Sequence, residues 1–182
     1  ASEDNETVNW TKVEGTWTAA AGKASWAAEG TIDLTAFDTS KGLSLSFYIQ
    51  NTTTDQTCVF QTSDNIQICA GYVWAAAGKG DGFFEGDNTI TANTWEKACG
   101  THYETIVFNT DGSVDWFLDG ELTFNWTEKT TQITALFSEI KAAALNILPQ
   151  TNSTTDVTVS NVSYSYAVTA DEAKSVYENF SK

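Results

Sequence analysis

YETIVFNTDGSVDWFLDGELTFNW, residues 103–126, holds three runs rich in β-formers: Tyr103 to Asn109, Ser113 to Leu118 and Glu121 to Trp126. Two Asp-Gly pairs, Asp111-Gly112 and Asp119-Gly120, separate them. Asp-Gly between such runs signals a type I′ hairpin turn, because both central residues need positive φ and glycine takes it without steric cost. The stretch therefore predicts a three-stranded antiparallel meander. If Asp119 and Gly120 are the loop residues, Phe117 pairs with Leu122, Trp116 with Thr123 and Asp115 with Phe124. One face then carries Phe117, Leu122, Phe124 and Trp126. The other carries Val114, Trp116 and Leu118 among Glu121, Thr123 and Asn125, a half-wet surface with one large aromatic at its centre. A slip of one residue inverts the two faces.

Working outward, LSLSFYIQ (43–50) alternates in the same way. Leu43, Leu45, Phe47 and Ile49 share a core face, while Ser44, Ser46, Tyr48 and Gln50 share a polar face around one aromatic. TIDLTAF (31–37) reads as the strand before it, and strands are expected at Thr57 to Gln61 and Asn65 to Trp74. The opening WTKVEGTWTAAAGKASWAAEG is cut by Gly15, Gly22 and Gly30, which favours short strands and turns over a helix. Its Trp10 and Trp17 are expected to cover the core edge. ALFSEIKAAALNIL (135–148) fits helix or strand equally. VTVSNVSYSYAV alternates again, with Val162, Tyr164, Tyr166 and Val168 on one side. Thr169-Ala-Asp-Glu172 then forms a capping box ahead of an Ala173, Val176, Tyr177, Phe180 stripe, so one short amphipathic helix closes the chain. The expected fold is all-β, a two-sheet antiparallel sandwich over residues 1–182 as one domain, ending in that helix.

Charge narrows the partners. The net charge is −15, and all nine basic residues are lysines. Nucleic acid and anionic membrane surfaces are bound through clustered Lys and Arg, so both are disfavoured. The absence of arginine also disfavours carboxylated sugars, whose natural partner is a bidentate guanidinium. A neutral ligand or a cation fits better. No apolar run is long enough to span a membrane, and the start at Ala1-Ser2-Glu3-Asp4 suggests a fragment of a secreted or surface-displayed parent. The same charge favours a monomer within a larger multidomain protein.

The cysteines Cys58, Cys69 and Cys99 lack a metal-ligand spacing, and the sole histidine, His102, lies near only Cys99. Cys58 and Cys69 flank a hairpin, TCVFQTSDNIQIC. They could form a cross-strand disulfide if their Cα atoms come within roughly 7 Å; three buried free thiols is the other reading. Sequons such as Asn9-Trp-Thr, Asn125-Trp-Thr and Asn152-Ser-Thr arise readily in a chain rich in Asn, Thr and Ser and carry little weight.

YETIVFNTDGSVDWFLDGEL resembles the strand, turn and strand of concanavalin A-like lectin and laminin-G-like domains. The ending VSNVSYSYAVTADEAKSVYENF is similar to their closing strand and helix, and GTIDL before LSLSFYIQ to their opening strands. The resemblance covers the chain from Gly30 onward and implies a jelly-roll sandwich. It does not fix a function, because that fold hosts lectins, glycosidases, lyases and adhesive domains. The first 29 residues and the Gly78 to Asn88 loop match no pattern of the family.

Catalysis is disfavoured. A glycosidase needs two opposed carboxylates, and the family pattern Glu-x-Asp-x-x-Glu is met only as far as Glu85-Gly-Asp87-Asn-Thr-Ile90. Asp115, Asp119 and Glu121 form a second acidic group, of which Asp119 belongs to a turn. His102 lacks a matching Ser or Cys motif and is expected to be structural. The aromatic surplus instead points to a carbohydrate-binding module, since sugar rings pack on aromatic planes while their hydroxyls need amide and carboxylate partners. The candidates are Tyr48, Trp74, Phe83, Phe84, Trp95 and Trp116, with Gln50, Asp87, Asn88 and Asn125 as hydrogen-bonding neighbours. A neutral glucan is expected, with starch or maltooligosaccharide ahead of β-glucan or xyloglucan. The competing expectation is an adhesive or spacer domain, for which Asp81, Glu85, Asp87 and Asn88 supply oxygens suited to Ca²⁺. Binding requires Trp95 and Trp116 exposed in a groove; a spacer requires them buried.

Overall fold

A computed structural model describes residues 8–22, 30–53, 57–62, 66–75, 82–85, 97–127 and 130–182. Among the described residues, twelve strands form two antiparallel sheets. The first runs in the order β1 (Thr11–Ala19), β12 (Val157–Ser165), β3 (Leu43–Thr52), β8 (Gly100–Phe108), β9 (Val114–Leu118) and β10 (Glu121–Trp126). The second runs β2 (Gly30–Ile32), β11 (Leu145–Thr151), β4 (Thr57–Thr62), β5 (Ile66–Cys69), β6 (Tyr72–Ala75) and β7 (Gly82–Glu85). The expected all-β sandwich is thus the fold. Leu43, Leu45, Phe47 and Ile49 of β3 are fully buried, as their alternation requires. Phe47 meets Phe60 of the opposite sheet edge to face, ring centroids 5.5 Å apart.

The meander forms, with two differences from the sequence reading. Asp119 (φ 52°) and Gly120 (φ 80°) make the expected type I′ turn. The first turn does not. There Gly112 N–H donates to Asn109 O and Asn109 N–H to Ser113 O, giving a three-residue loop with Gly112 at positive φ. The larger difference lies in β10. Leu122 pairs with Phe117 as expected, but Phe124 pairs with Trp116, because Thr123 is a bulge. The extra residue moves Phe124 and Trp126 to the face of Trp116. All three are fully buried, Trp116 lying 5.3 Å from each of the other two rings. The face expected to be half wet is the core, and Leu122 is left 44% exposed on the other side.

Helix α1 (Thr130–Ala142) and β11 divide the ambiguous 135–148 segment between them, so the described residues hold a helix beyond the one expected. Ile133, Leu136 and Ile140 of α1 reach into the main core. Helix α2 (Ala170–Phe180) starts at the predicted capping box: Thr169 N–H donates to Glu172 Oε1 at 2.9 Å and Glu172 N–H to Thr169 Oγ1 at 3.2 Å. The 31–37 segment is strand only to Ile32. Beyond it, Asp33 accepts Thr35 N–H and Oγ1 in a local turn that takes the chain out of the sheet. The predicted 65–74 strand is two strands joined at Gly71 (φ 84°), and the expected 78–88 loop contains β7.

Candidate functional site

The structure separates the aromatics that the sequence grouped. Trp116 is a core residue with no exposed surface, its indole N–H donated to Glu104 Oε1 at 2.7 Å. It cannot present a plane to a ligand. Tyr48 and Gln50 do lie on the outer face of the first sheet, half-buried. That face is not an open sugar platform, because α2 roofs it. Phe180 stacks on Tyr103 at 4.5 Å and tilts against Tyr48 at 4.8 Å. Beneath it Ser44 and Ser46 are fully buried, Ser46 sharing a 2.9 Å hydrogen bond with Thr105. Trp74 is half-buried against Cys58, Cys69 and Tyr72 on the second sheet. Asn125 is half-buried on β10. The backbone register of β6 and β7 sets Trp74 opposite Phe83 and Val73 opposite Phe84. Trp95, Asp81, Asp87 and Asn88 lie outside the described residues, and Glu85 is described only as the end of β7. Among the described residues no group of three or more His, Cys, Asp or Glu is placed to hold a metal.

The acidic residues weighed for chemistry have structural duties. Asp115 accepts Asn109 Nδ2 at 2.9 Å. Asp119 accepts Tyr103 N–H at 2.9 Å through one oxygen and meets His102 Nδ1 at 2.7 Å through the other. The second nitrogen of His102 lies 2.9 Å from Cys99 O, so the imidazole ties the start of β8 to the 119–120 turn. Glu104 sits wholly inside the sandwich, and burial pushes its carboxyl up to about 8 against the bond from Trp116.

A different cluster has the form of a binding surface. The turn after β2 presents Phe37, and the end of β12 presents Tyr164 and then Tyr166. Phe37 and Tyr166 lie 4.3 Å apart with planes inclined by 31°, and Tyr164 meets Phe37 edge-on at 6.0 Å. These rings line a cleft of about 520 Å³ shared with Asn9, Asp33 and Glu172. Tyr166 is 37% exposed, and it alone of the described aromatics counts among the exposed large side chains. The pair is held from several sides. Lys41 Nζ lies 5.1 Å from the Tyr166 ring centre, Asp38 N–H donates to Tyr166 Oη at 3.4 Å, and Lys141 Nζ donates to Phe37 O at 3.1 Å. Hydrogen bonds from the backbone and hydroxyl of Thr35 hold the Asp33 carboxyl below its ordinary range, so it is an ionised acceptor beside the rings.

Sequence reasoning placed Tyr164 and Tyr166 on one side of a strand but did not join them to Phe37, which it assigned to the preceding strand. The Asp33 and Asp38 turns were the available signal, since Asp-x-Thr and Asp-x-Ser favour such local reversals. A second hollow of about 780 Å³ lies where Asn51, Thr101, Thr155 and Asp156 meet. Its groups are bonded to one another and to backbone, as in Asn51 N–H to Thr101 Oγ1 at 3.2 Å and Ala21 N–H to Asp156 Oδ1 at 2.8 Å, and none of the described aromatics lines it.

No protein-family model and no curated protein matches the chain. Solved structures do. The fold is similar to the binding domain of botulinum neurotoxin serotype G, with TM-score 0.52 and 12% identity over 96% of this chain and 45% of that one. The receptor binding domain of the botulinum neurotoxin C/D mosaic serotype gives 0.51 and 8%, over 94% and 46%. The serotype D binding domain gives 0.50 and 9%, over 94% and 47%. The likeness is one of fold, the two-sheet β-sandwich, and this chain spans less than half the length of those structures. Among the described residues no helix is long and apolar enough to cross a membrane.

Proposed function

We propose that this chain is a non-catalytic binding module of an extracellular protein and that it takes a neutral glycan on the Phe37–Tyr166 surface. The observation that carries the reading is an exposed ring, Tyr166, fixed against half-buried Phe37 in a cleft that also holds an ionised carboxylate and an amide, Asp33 and Asn9. A pyranose lays its C–H face on such rings and gives its hydroxyls to such acceptors. A net charge of −15 without arginine supports a neutral ligand over an anionic one. Botulinum neurotoxin binding domains with the same sandwich are named for receptor binding, which supports recognition over catalysis. Glucans, with starch and maltooligosaccharides first, remain the preferred class.

The test is electrophoresis through gels containing starch, β-glucan, xyloglucan or xylan, with an array of short neutral and sialylated oligosaccharides alongside. Retardation by a neutral polymer that Tyr166→Ala weakens roughly tenfold or more supports the reading. Binding confined to sialylated glycans would overturn the neutral assignment, and no binding at all would overturn the module. In that last case an adhesive or spacer domain takes its place, a reading favoured by the burial of Trp116; Ca²⁺ held around residues 81–87 belongs to that proposal.

A further inference from the structure

We propose that Cys58 and Cys69 are a cross-strand disulfide pair, closed when the chain folds in an oxidising environment, and that Cys99 takes no part. The argument is independent of any glycan. Cys58 of β4 stands directly opposite Cys69 of β5. Next to them Ala70 N–H donates to Thr57 O at 2.9 Å, which makes 57 and 70 a hydrogen-bonded rung. Cys58 and Cys69 then occupy the adjacent non-hydrogen-bonded rung, where Cα atoms approach to about 4.5 Å and side chains are nearest. That separation falls inside the disulfide range of roughly 4.4–6.8 Å.

Both thiols are buried on one side of the second sheet, under Tyr72 and Trp74. They are unlinked in this structure, the Cys58 thiol donating to Phe60 O at 3.4 Å, and the neighbouring Cys69 thiol together with burial raises Cys58 well above the ordinary thiol range. The Cys58 thiolate is scarce and both sulfurs are buried in the closed hairpin, so exchange with an outside disulfide is slow there. The bond is made while the hairpin is open. One cysteine thiolate attacks a small-molecule disulfide such as oxidised glutathione and expels one thiol, leaving a mixed disulfide. The second cysteine attacks that bond and expels the other. The two cysteines lose two electrons, which reduce the small disulfide, and their two protons end on the released thiols. Cys99 is separate, its thiol donated to Thr53 O at 2.6 Å across the β3 to β8 boundary.

The test is to fold the full chain in a glutathione redox buffer, denature it with iodoacetamide and map the peptides by mass. One alkylated cysteine, Cys99, with peptides holding Cys58 and Cys69 linked, is the expected result. A reductant should then lower the melting temperature by roughly 5–10 °C. Three alkylated cysteines, or any link through Cys99, would overturn the proposal. Cys99→Ser should leave the link and the melting shift unchanged, and a lost link in that variant also counts against it.

Discussion

Glu104 accepts the indole N–H of Trp116 at 2.7 Å in the interior of the sandwich, each side chain fully buried. A carboxyl there is stable mainly in its neutral form, which is why burial moves its titration from 4.5 to about 8.

The sign of the pH dependence follows. Between about pH 4.5 and 8 the folded chain holds a proton at Glu104 that the unfolded chain has released, so the Glu104 contribution to stability falls as pH rises through that window. The expected loss is on the order of a few kcal/mol. Glu104→Gln keeps an acceptor for Trp116 and removes the titration. Denaturant melts of both proteins at pH 5 and pH 8.5 check this: wild type should weaken markedly over the interval and the variant much less.

Trp116→Ala and Tyr166→Ala should behave oppositely. The first empties a core position packed by Phe124 and Trp126 and should cost about 3–5 kcal/mol. The second removes an exposed ring, so thermal stability should change little while glycan retardation falls. Melting curves beside the affinity gels separate the two effects.

Thr169→Ala removes the hydroxyl that accepts Glu172 N–H in the α2 capping box, while the backbone N–H of residue 169 can still donate to Glu172, and should cost about 1 kcal/mol. Hydrogen exchange should show the change concentrated in residues 169–180, with faster exchange also at Tyr103 and Thr105 of the roofed strand.

Gly42→Ala should be costly out of proportion to its size. Gly42 has φ of 76°, and an added Cβ would lie 2.6 Å from both Ala167 Cβ and Phe108 O. A loss of about 1–3 kcal/mol is expected. Ala167 follows Tyr166, so the variant should also weaken glycan binding, and titration calorimetry on the folded fraction reads that part.

The alternation of β3, the meander and the α2 capping box were legible because each is a local pattern whose physical cause lies within a few residues. The side of the sheet that faces water was not. The polar set of β3 reads as wet, but Ser44 and Ser46 are dry because α2, more than a hundred residues later, lies over them. Likewise the ligand surface needs Phe37 beside Tyr166, a contact made across distant parts of the chain that no short motif announces. Trp116 misled for a further reason: an aromatic among polar neighbours looks solvent-facing until a bulge changes which neighbours share its side.

That bulge makes β10 unequal in its tolerance of sequence change. Thr123 is half-buried and its hydroxyl donates to the nearby Glu121 O at 3.0 Å, so its identity can drift with little harm. Its removal can be absorbed as well: with Leu122 opposite Phe117, loss of the extra residue leaves Phe124 next in alternation and still opposite Trp116. A deletion at Asn125 cannot, because it would bring Trp126 opposite Asp115 and turn it out of the core. Along this strand the place of a length change matters more than composition, and related chains are expected to gain or lose a residue at position 123 while keeping the spacing of Phe124 and Trp126 fixed.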